Sequence, residues 1–234
     1  SLVSRGGHFR QSFDEAGRQV EQPAPWEPAE HATPLAAKVA LTLGSREVWV
    51  GGWLYVLRGH LGGLQPVVLL DTDLEENHPD DRPITHELYG VDGAHRLKQE
   101  AVLGIGGVRL LQALGFEIRQ YHMNEGHSAL LAVELLRRHA HRPEELRPGE
   151  SPYDVPLVRG LCCFTTHTPV DAGHDRFGYD QVQQVLDDFL PLAVLKQLGG
   201  EDLLNLTRLA LNLSEYVNGV AQRHAEVSRR MFPG

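Results

Sequence analysis

Two short polar blocks hold the residues of this chain best suited to chemistry: His122-Met123-Asn124-Glu125-Gly126-His127 and Thr165-Thr166-His167-Thr168-Pro169. Each follows an apolar run directly, and the first opens a helical pattern. At a strand end that leads into a helix, unpaired backbone N–H groups and a positive dipole end suit anionic or hydroxyl-rich ligands. The same residues could simply cap helices and turns. His122, Glu125, His127, His167 and His174 would also suffice for zinc. However, His122 and His127 are five residues apart, not the i, i+4 pair of a His-Glu-x-x-His helix. Alternation along the strand also sends His122 to the opposite side. Metal-dependent hydrolysis is therefore the weaker chemistry, and no metal site is expected. Gly104-Ile105-Gly106-Gly107 could suggest a phosphate loop, but Arg96 to Leu103 before it is helical in pattern. Close helix packing through small residues is the better reading. His224, on the stripe Val217, Val220, His224, Val227, reads as a packed core histidine.

These blocks need a sheet to hold them. Phe116 to Met123 and the almost wholly apolar Val158 to Phe164 are strand candidates. Apolar residues at helical spacing from Leu97 to Leu111 predict a helix ending at Gly115, and Ser128 to His139 predicts another. Further helices are expected at Tyr179 to Leu190, Leu203 to Leu213 and Ser214 to Met231. Strand, helix, strand, helix, strand predicts an α/β fold with a doubly wound, mostly parallel sheet covered on both faces. Ligands bind such sheets outside the carboxyl ends of the strands, where both polar blocks fall. The N-terminal part has a different texture. His8 to Phe13 and Arg18 to Gln22 flank the turn Asp14-Glu15-Ala16-Gly17. Pro23, Pro25 and Pro28 then bracket Trp26 in an extended linker. Lys38 to Leu43, Arg46 to Val50, Trp53 to Leu57 and Gln65 to Leu70 are short apolar runs separated by glycines, an antiparallel meander. Leu74 to Gly93 reads mostly as loop. The expected division is residues 1–64 as an antiparallel β-rich segment and 65–234 as a Rossmann-like α/β core.

Composition narrows the classes of function. The chain has 234 residues, 41% hydrophobic and 23% charged, which is globular and long enough for a core without staples. No uninterrupted apolar run reaches the 18 or so residues of a membrane span; the best, Ala101 to Phe116, contains Arg109. A net charge of −9 disfavours general binding to nucleic acid. The two cysteines, Cys162 and Cys163, are adjacent and form no disulfide framework, so a reducing cytoplasm is the expected location. The chain starts at Ser1 with no basic and apolar leader, which reads as a processed or excised piece of something longer.

Five blocks in order carry a family resemblance: Asp71-Thr72-Asp73-Leu74…Asn77; Arg96-Leu97-Lys98-Gln99-Glu100 with Leu103-Gly104-Ile105-Gly106-Gly107; His122 to His127; Phe164 to Phe177; and Tyr216-Val217-Asn218-Gly219-Val220. Together they resemble the α-glucan phosphorylases, the glycogen, starch and maltodextrin phosphorylase family, in its shorter bacterial form. The resemblance implies a fragment of the N-terminal lobe of a GT-B-type glycosyltransferase. Such enzymes transfer the terminal glucosyl unit of an α-1,4-glucan to inorganic phosphate, giving glucose 1-phosphate with retention and using pyridoxal phosphate in proton transfer. By motif, His167 is implied as the catalytic histidine that hydrogen-bonds the glucosyl unit. Asn124, Glu125, His127 and Thr168 are implied on the substrate side of the cleft. Tyr89, Asp92 and Arg96 correspond to the loop and helix start that gate the site. That loop is shorter here than in animal enzymes, and Glu125 stands where they have Asp. None of Lys38, Lys98 and Lys196 lies in a context like the family's cofactor-binding motif. The chain is therefore expected to hold no cofactor, to carry the sugar-side half of a cleft, and to be inactive without the C-terminal lobe; a homo-oligomer is compatible. The alternative is a carbohydrate-binding or scaffolding module that keeps the fold without the chemistry.

Overall fold

The computed structural model describes residues 1–6, 8–24, 26–87 and 92–232. In chain order its strands are β1 (Phe9–Phe13), β2 (Gln19–Pro23), β3 (Thr33–Pro34), β4 (Val39–Leu43), β5 (Arg46–Arg58), β6 (Leu64–Asp71), β7 (Tyr121–Asn124), β8 (Cys162–Thr166), β9 (Arg176–Gly178), β10 (Leu203–Asn205) and β11 (Tyr216–Gly219). The α-helices are α1 (Pro28–His31), α2 (Gly93–Ala101), α3 (Gly107–Ala113), α4 (Leu130–Arg138), α5 (Val155–Leu161), α6 (Tyr179–Leu186), α7 (Leu192–Gly199), α8 (Leu206–Asn212) and α9 (Gln222–Met231). A π-helical turn, Val102–Gly106, joins α2 to α3.

The architecture is mixed α/β. β1 and β2 form the expected hairpin, and β3, β4, β5 and β6 form an antiparallel sheet. Arg46 to Val50 and Trp53 to Leu57 are one strand, not two. Gly51 and Gly52 lie inside it because the backbone comes close to its neighbours: a Cβ on Gly52 would sit 2.9 Å from Leu110 Cδ2 and 3.2 Å from Leu35 Cδ1. The glycines answer to packing, not to a turn.

The block Asp71 to Asn77 is scaffold. Buried Asp71 takes two hydrogen bonds from the Arg5 guanidinium, 3.0 and 2.8 Å, and one from Trp53 Nε1 at 2.8 Å. Burial alone would raise its pKa, but these donors hold it below the ordinary carboxylate value. Asn77 bonds both backbone groups of Trp49 and the carbonyl of Thr72, pinning the loop after β6 to β5.

The helical run α2–π–α3 contributes Leu97, Ile105 and Leu110 to a core shared with Leu43 and Val50 of the antiparallel sheet and Leu130 of α4. Gly104 is the contact that makes this possible. A Cβ there would lie 2.5 Å from the backbone nitrogen of Leu131, so only glycine lets α4 approach. Arg109, the single charge in the long apolar run, bonds Glu134 of α4 at 2.9 and 3.0 Å and the carbonyl of Ala40 at 2.6 Å.

The parallel sheet has the order β11–β8–β7, with Met123 opposite Phe164 and Asn218 opposite Thr165. Its strands are shorter and differently placed than the sequence predicts. Phe116 to Ile118 stays outside β7. Val158 to Leu161 belongs to α5, which Asp154 caps by accepting from Leu157 N at 3.0 Å. The strand begins only at Cys162. Ser214 to Met231 is likewise not one helix: β11 precedes α9. Leu203 to Leu213 opens with β10, paired antiparallel with β9, and α7 is an additional helix. Cover on both faces is not what the described residues show. Met123, Cys162 and Phe164 face the core and are buried, whereas His122, Asn124 and Tyr216 on the alternate positions are exposed.

Candidate functional site

Both polar blocks stand at the carboxyl ends of two adjacent parallel strands, β7 and β8. The chain leaves β7 through Glu125, whose φ of 68° and ψ of 169° place it in backbone space that non-glycine residues rarely enter. Two sets of bonds hold it there. Its N–H donates to the Thr165 carbonyl at 3.0 Å, and its Oε1 accepts from the backbone N–H groups of His167 and, at 3.2 Å, Thr168. The carboxylate is buried and clamps the end of β7 to the turn after β8. The next residue is tight as well: a Cβ on Gly126 would lie 3.0 Å from Thr207 Oγ1, at the start of α8. Beyond this turn His127 is half-buried, His167 exposed and Thr168 half-buried.

His127 enters a charged cluster. Its Nδ1 lies 2.9 Å from Asp175 Oδ2, 2.7 Å from Arg96 Nη2 and 3.6 Å from Glu100 Oε1. Arg96 Nη2 also reaches Asp175 Oδ2 at 3.2 Å, and Arg96 Nε reaches Glu100 Oε1 at 3.2 Å. Arg96 and Glu100 are one turn apart on α2, so a single helix face presents both. Nδ1 has one place for a proton. With the Asp175 carboxylate at 2.9 Å, that proton is present and is donated to Asp175; the guanidinium, itself only a donor, gives its hydrogen bond to the same carboxylate and not to the protonated Nδ1. The hydrogen bond to Asp175, followed by the nearby Glu100 carboxyl, raises His127 to about 9. Burial, ahead of the other influences, raises Glu100 to about 8. For Asp175 burial acts upward but loses to His127, Glu100 and Arg96, which hold it far below the ordinary value.

Glu100, His127 and Asp175 form a group of metal-ligand type, each offering one atom within 4.8 Å of the others. The Arg96 guanidinium already supplies a cation there, so the set reads as an ion-pair network. The five residues considered for zinc are dispersed. His122 bonds Thr165 Oγ1 at 2.7 Å, His174 bonds Thr207 Oγ1 at 2.9 Å, and Glu125 serves backbone donors.

Of the residues implied by resemblance, Arg96 and His127 meet directly, and Glu125 joins them to His167 and Thr168 through the turn. Asn124 is exposed at the end of β7. Asp92 caps α2, accepting from His95 N at 2.8 Å. Tyr89 lies outside the described residues. Two members of the cluster, Glu100 and Asp175, were not singled out by type and spacing. Glu100 could have been, from its i, i+4 relation to Arg96 on a helical pattern. Asp175 could not, because only folding brings it to His127. A second polar set also emerges: Thr165 Oγ1, bonded to His122, donates to Asn218 Oδ1 at 2.8 Å, linking all three parallel strands. The lysines are engaged elsewhere: Lys38 with Glu76 at 2.5 Å, Lys98 with Asp81 at 3.2 Å, and Lys196 over the Tyr179 ring at 5.2 Å.

No protein-family model matches the chain. Among curated proteins it is 36% identical to a maltodextrin phosphorylase of Thermococcus litoralis over 99% of this chain and 28% of that protein. It is 35% identical to a glycogen phosphorylase of Mycobacterium tuberculosis, over 99% of this chain and 29% of that protein. A glycogen phosphorylase of Aquifex aeolicus is 34% identical over 73% of the chain and 25% of its own length. The chain thus spans under a third of the length of these relatives.

Proposed function

Starting from a chain homologous to part of the glycogen and maltodextrin phosphorylases, we propose that it forms the sugar-side half of an α-1,4-glucan phosphorylase cleft. The fold is then the N-terminal lobe of a GT-B-type enzyme, and the parent transfers a terminal glucosyl unit to inorganic phosphate. The observation that carries this reading is the joint placement of His167, Thr168, Glu125 and His127 at the ends of two adjacent parallel strands. Each takes a part that its position allows. His167, exposed beyond β8, hydrogen-bonds hydroxyls of the glucosyl unit next to the scissile bond. Bonds of this kind that tighten as the sugar becomes oxocarbenium-like lower the barrier. Glu125 sets the backbone of the His167–Thr168 turn, and so aims His167. Asn124 and His127 add donors and acceptors from the β7 side.

A pyridoxal group does not fit this chain. Its three lysines are held by Glu76, Asp81 and the Tyr179 ring, and none belongs to the strand-end site. Cofactor and phosphate contacts belong to the remainder of the parent, and the isolated chain is inactive in phosphorolysis.

The test is phosphate-dependent release of glucose 1-phosphate from maltodextrin by the full-length parent and by the 234-residue chain, with and without added pyridoxal phosphate. Activity in the parent alone supports the reading. A parent that binds maltodextrin but releases no glucose 1-phosphate transfers the case to a carbohydrate-binding module. In an active parent, His167→Ala is expected to lower kcat more than it raises KM; a change confined to KM removes the transition-state role.

A further inference from the structure

Glu100 stands out among the acidic residues. Its side chain is 1% exposed, and neither carboxyl oxygen has a hydrogen bond of good geometry. An ionised carboxylate in that position would lack the compensation that burial of a charge demands. Among the described residues, the charged groups facing it are Arg96 from its own helix, His127 from the turn after β7, and Asp175 just before β9. Asp175 differs. It is 26% exposed and lies within hydrogen-bond distance of both His127 Nδ1 and Arg96 Nη2. One carboxyl group of the pair is therefore built as an anion and the other is not.

We propose that Glu100 is a positioning residue that works as a neutral acid: lodged beside Asp175, it leaves that carboxylate as the one anion between Arg96 and His127, and so fixes Asp175 as the acceptor that orients the His127 ring through Nδ1. Asp175 accepts from His127 Nδ1–H, from Arg96 and from the Glu100 hydroxyl. Nδ1 is thereby committed, and Nε2 is the atom of the part-exposed ring left to a ligand. Were Glu100 ionised instead, it would be a second counter-ion for the ring. That its carboxyl group is driven upward chiefly by burial agrees with the neutral form. What Nε2 meets, a sugar hydroxyl, rests on the glucan reading; the protonation pattern does not.

The two assignments separate under isosteric substitution. Imidazole nitrogen shifts of His127, identified by loss of its signals in His127→Ala, would be followed by NMR across neutral and alkaline pH in the 234-residue chain. Glu100→Gln keeps a neutral, hydrogen-bonding side chain, so His127 is expected to keep its proton and its pKa to within about half a unit. Asp175→Asn is expected to lower that pKa by about one unit or more, a tenfold loss of protonation. An equal fall in Glu100→Gln would overturn the proposal, since it would make Glu100 an ionised partner of the ring. If Glu100→Gln does not fold, the 13Cδ shift of Glu100 in the unaltered chain decides. A carboxylic-acid signal at pH 6 supports the neutral form, and a carboxylate signal there overturns it. Added maltodextrin separates the two readings. Absence of any shift at His127 and His167 in a maltodextrin-treated parent would count against the glucan, while the protonation result would stand unaltered.

Discussion

The parallel sheet carries two polar sets built from similar residue types, and the fold treats them in opposite ways. Arg96, His127 and Asp175 are charged, with the Glu100 carboxyl buried among them; the four are packed under the turn after β7 and drawn from three separate stretches of chain. His122, Thr165 and Asn218 are uncharged partners laid side by side on neighbouring strands, with His122 open to solvent. In the first set each charge depends on the others, because removing one leaves a buried charge uncompensated. In the second, Thr165 is itself buried and water can replace a lost partner only at exposed His122, but no member carries a charge that needs a counter-ion. Charge, as much as position relative to the core, decides how much a polar group costs or contributes.

That contrast can be broken in graded ways. The largest effect is expected for Arg96→Met, which leaves Asp175 with His127 as its one remaining cation among the described residues: about 3 kcal/mol of stability lost near neutral pH, read from urea unfolding. A loss below about 1 kcal/mol would show that the network is as replaceable as a surface pair. Next comes Glu125→Ala, which strips two backbone donors of a charged acceptor; about 2 kcal/mol is expected, with increased amide exchange at His167 and Thr168. Amide protection there equal to that of the unaltered chain would refute the clamp.

The pH dependence sharpens the comparison. Glu100 and His127 both have folded-state values raised above their unfolded ones, from 4.5 to about 8 and from 6.5 to about 9. Each therefore stabilises the fold fully below its unfolded value and loses that contribution as pH rises through the folded one. Stability is expected to fall between pH 4.5 and about 9, most steeply between 6.5 and 8 where the two windows overlap. Glu100→Gln should flatten the lower part of this decline, and a slope unchanged by that substitution would remove Glu100 from its cause. The smallest effect is expected in the uncharged set. Thr165→Val, nearly equal in volume, should cost about 1 kcal/mol, and His122→Asn within about 0.5 kcal/mol. Losses there that match Arg96→Met would abolish the distinction between the two sets.

Much of this was legible in the sequence, for reasons that differ by residue. The hairpin of β1 and β2, the placement of both polar blocks at strand ends and the packing role of Gly104 follow from local turn chemistry, periodicity and the helical pattern before the glycine. Short apolar runs were not resolved so well. Val158 to Phe164 reads as one strand, yet its first part is the end of a capped helix; over so few residues a buried helix and a buried strand present the same apolar run. β11 was absorbed into a helical stripe because Tyr216 to Gly219 gains its identity only by pairing with β8.

Local composition by itself determined the chemistry available at the strand ends, since the residues that follow an apolar strand are its neighbours through the covalent chain. Order along the chain likewise carried the kinship with phosphorylases. Tertiary structure alone decided which of those groups are charged partners and which are clamps. Arg96, His127 and Asp175 are separated by tens of residues, and nothing local sets their distances. Their protonation follows from burial and from one another's charge, quantities that exist only once the chain has folded.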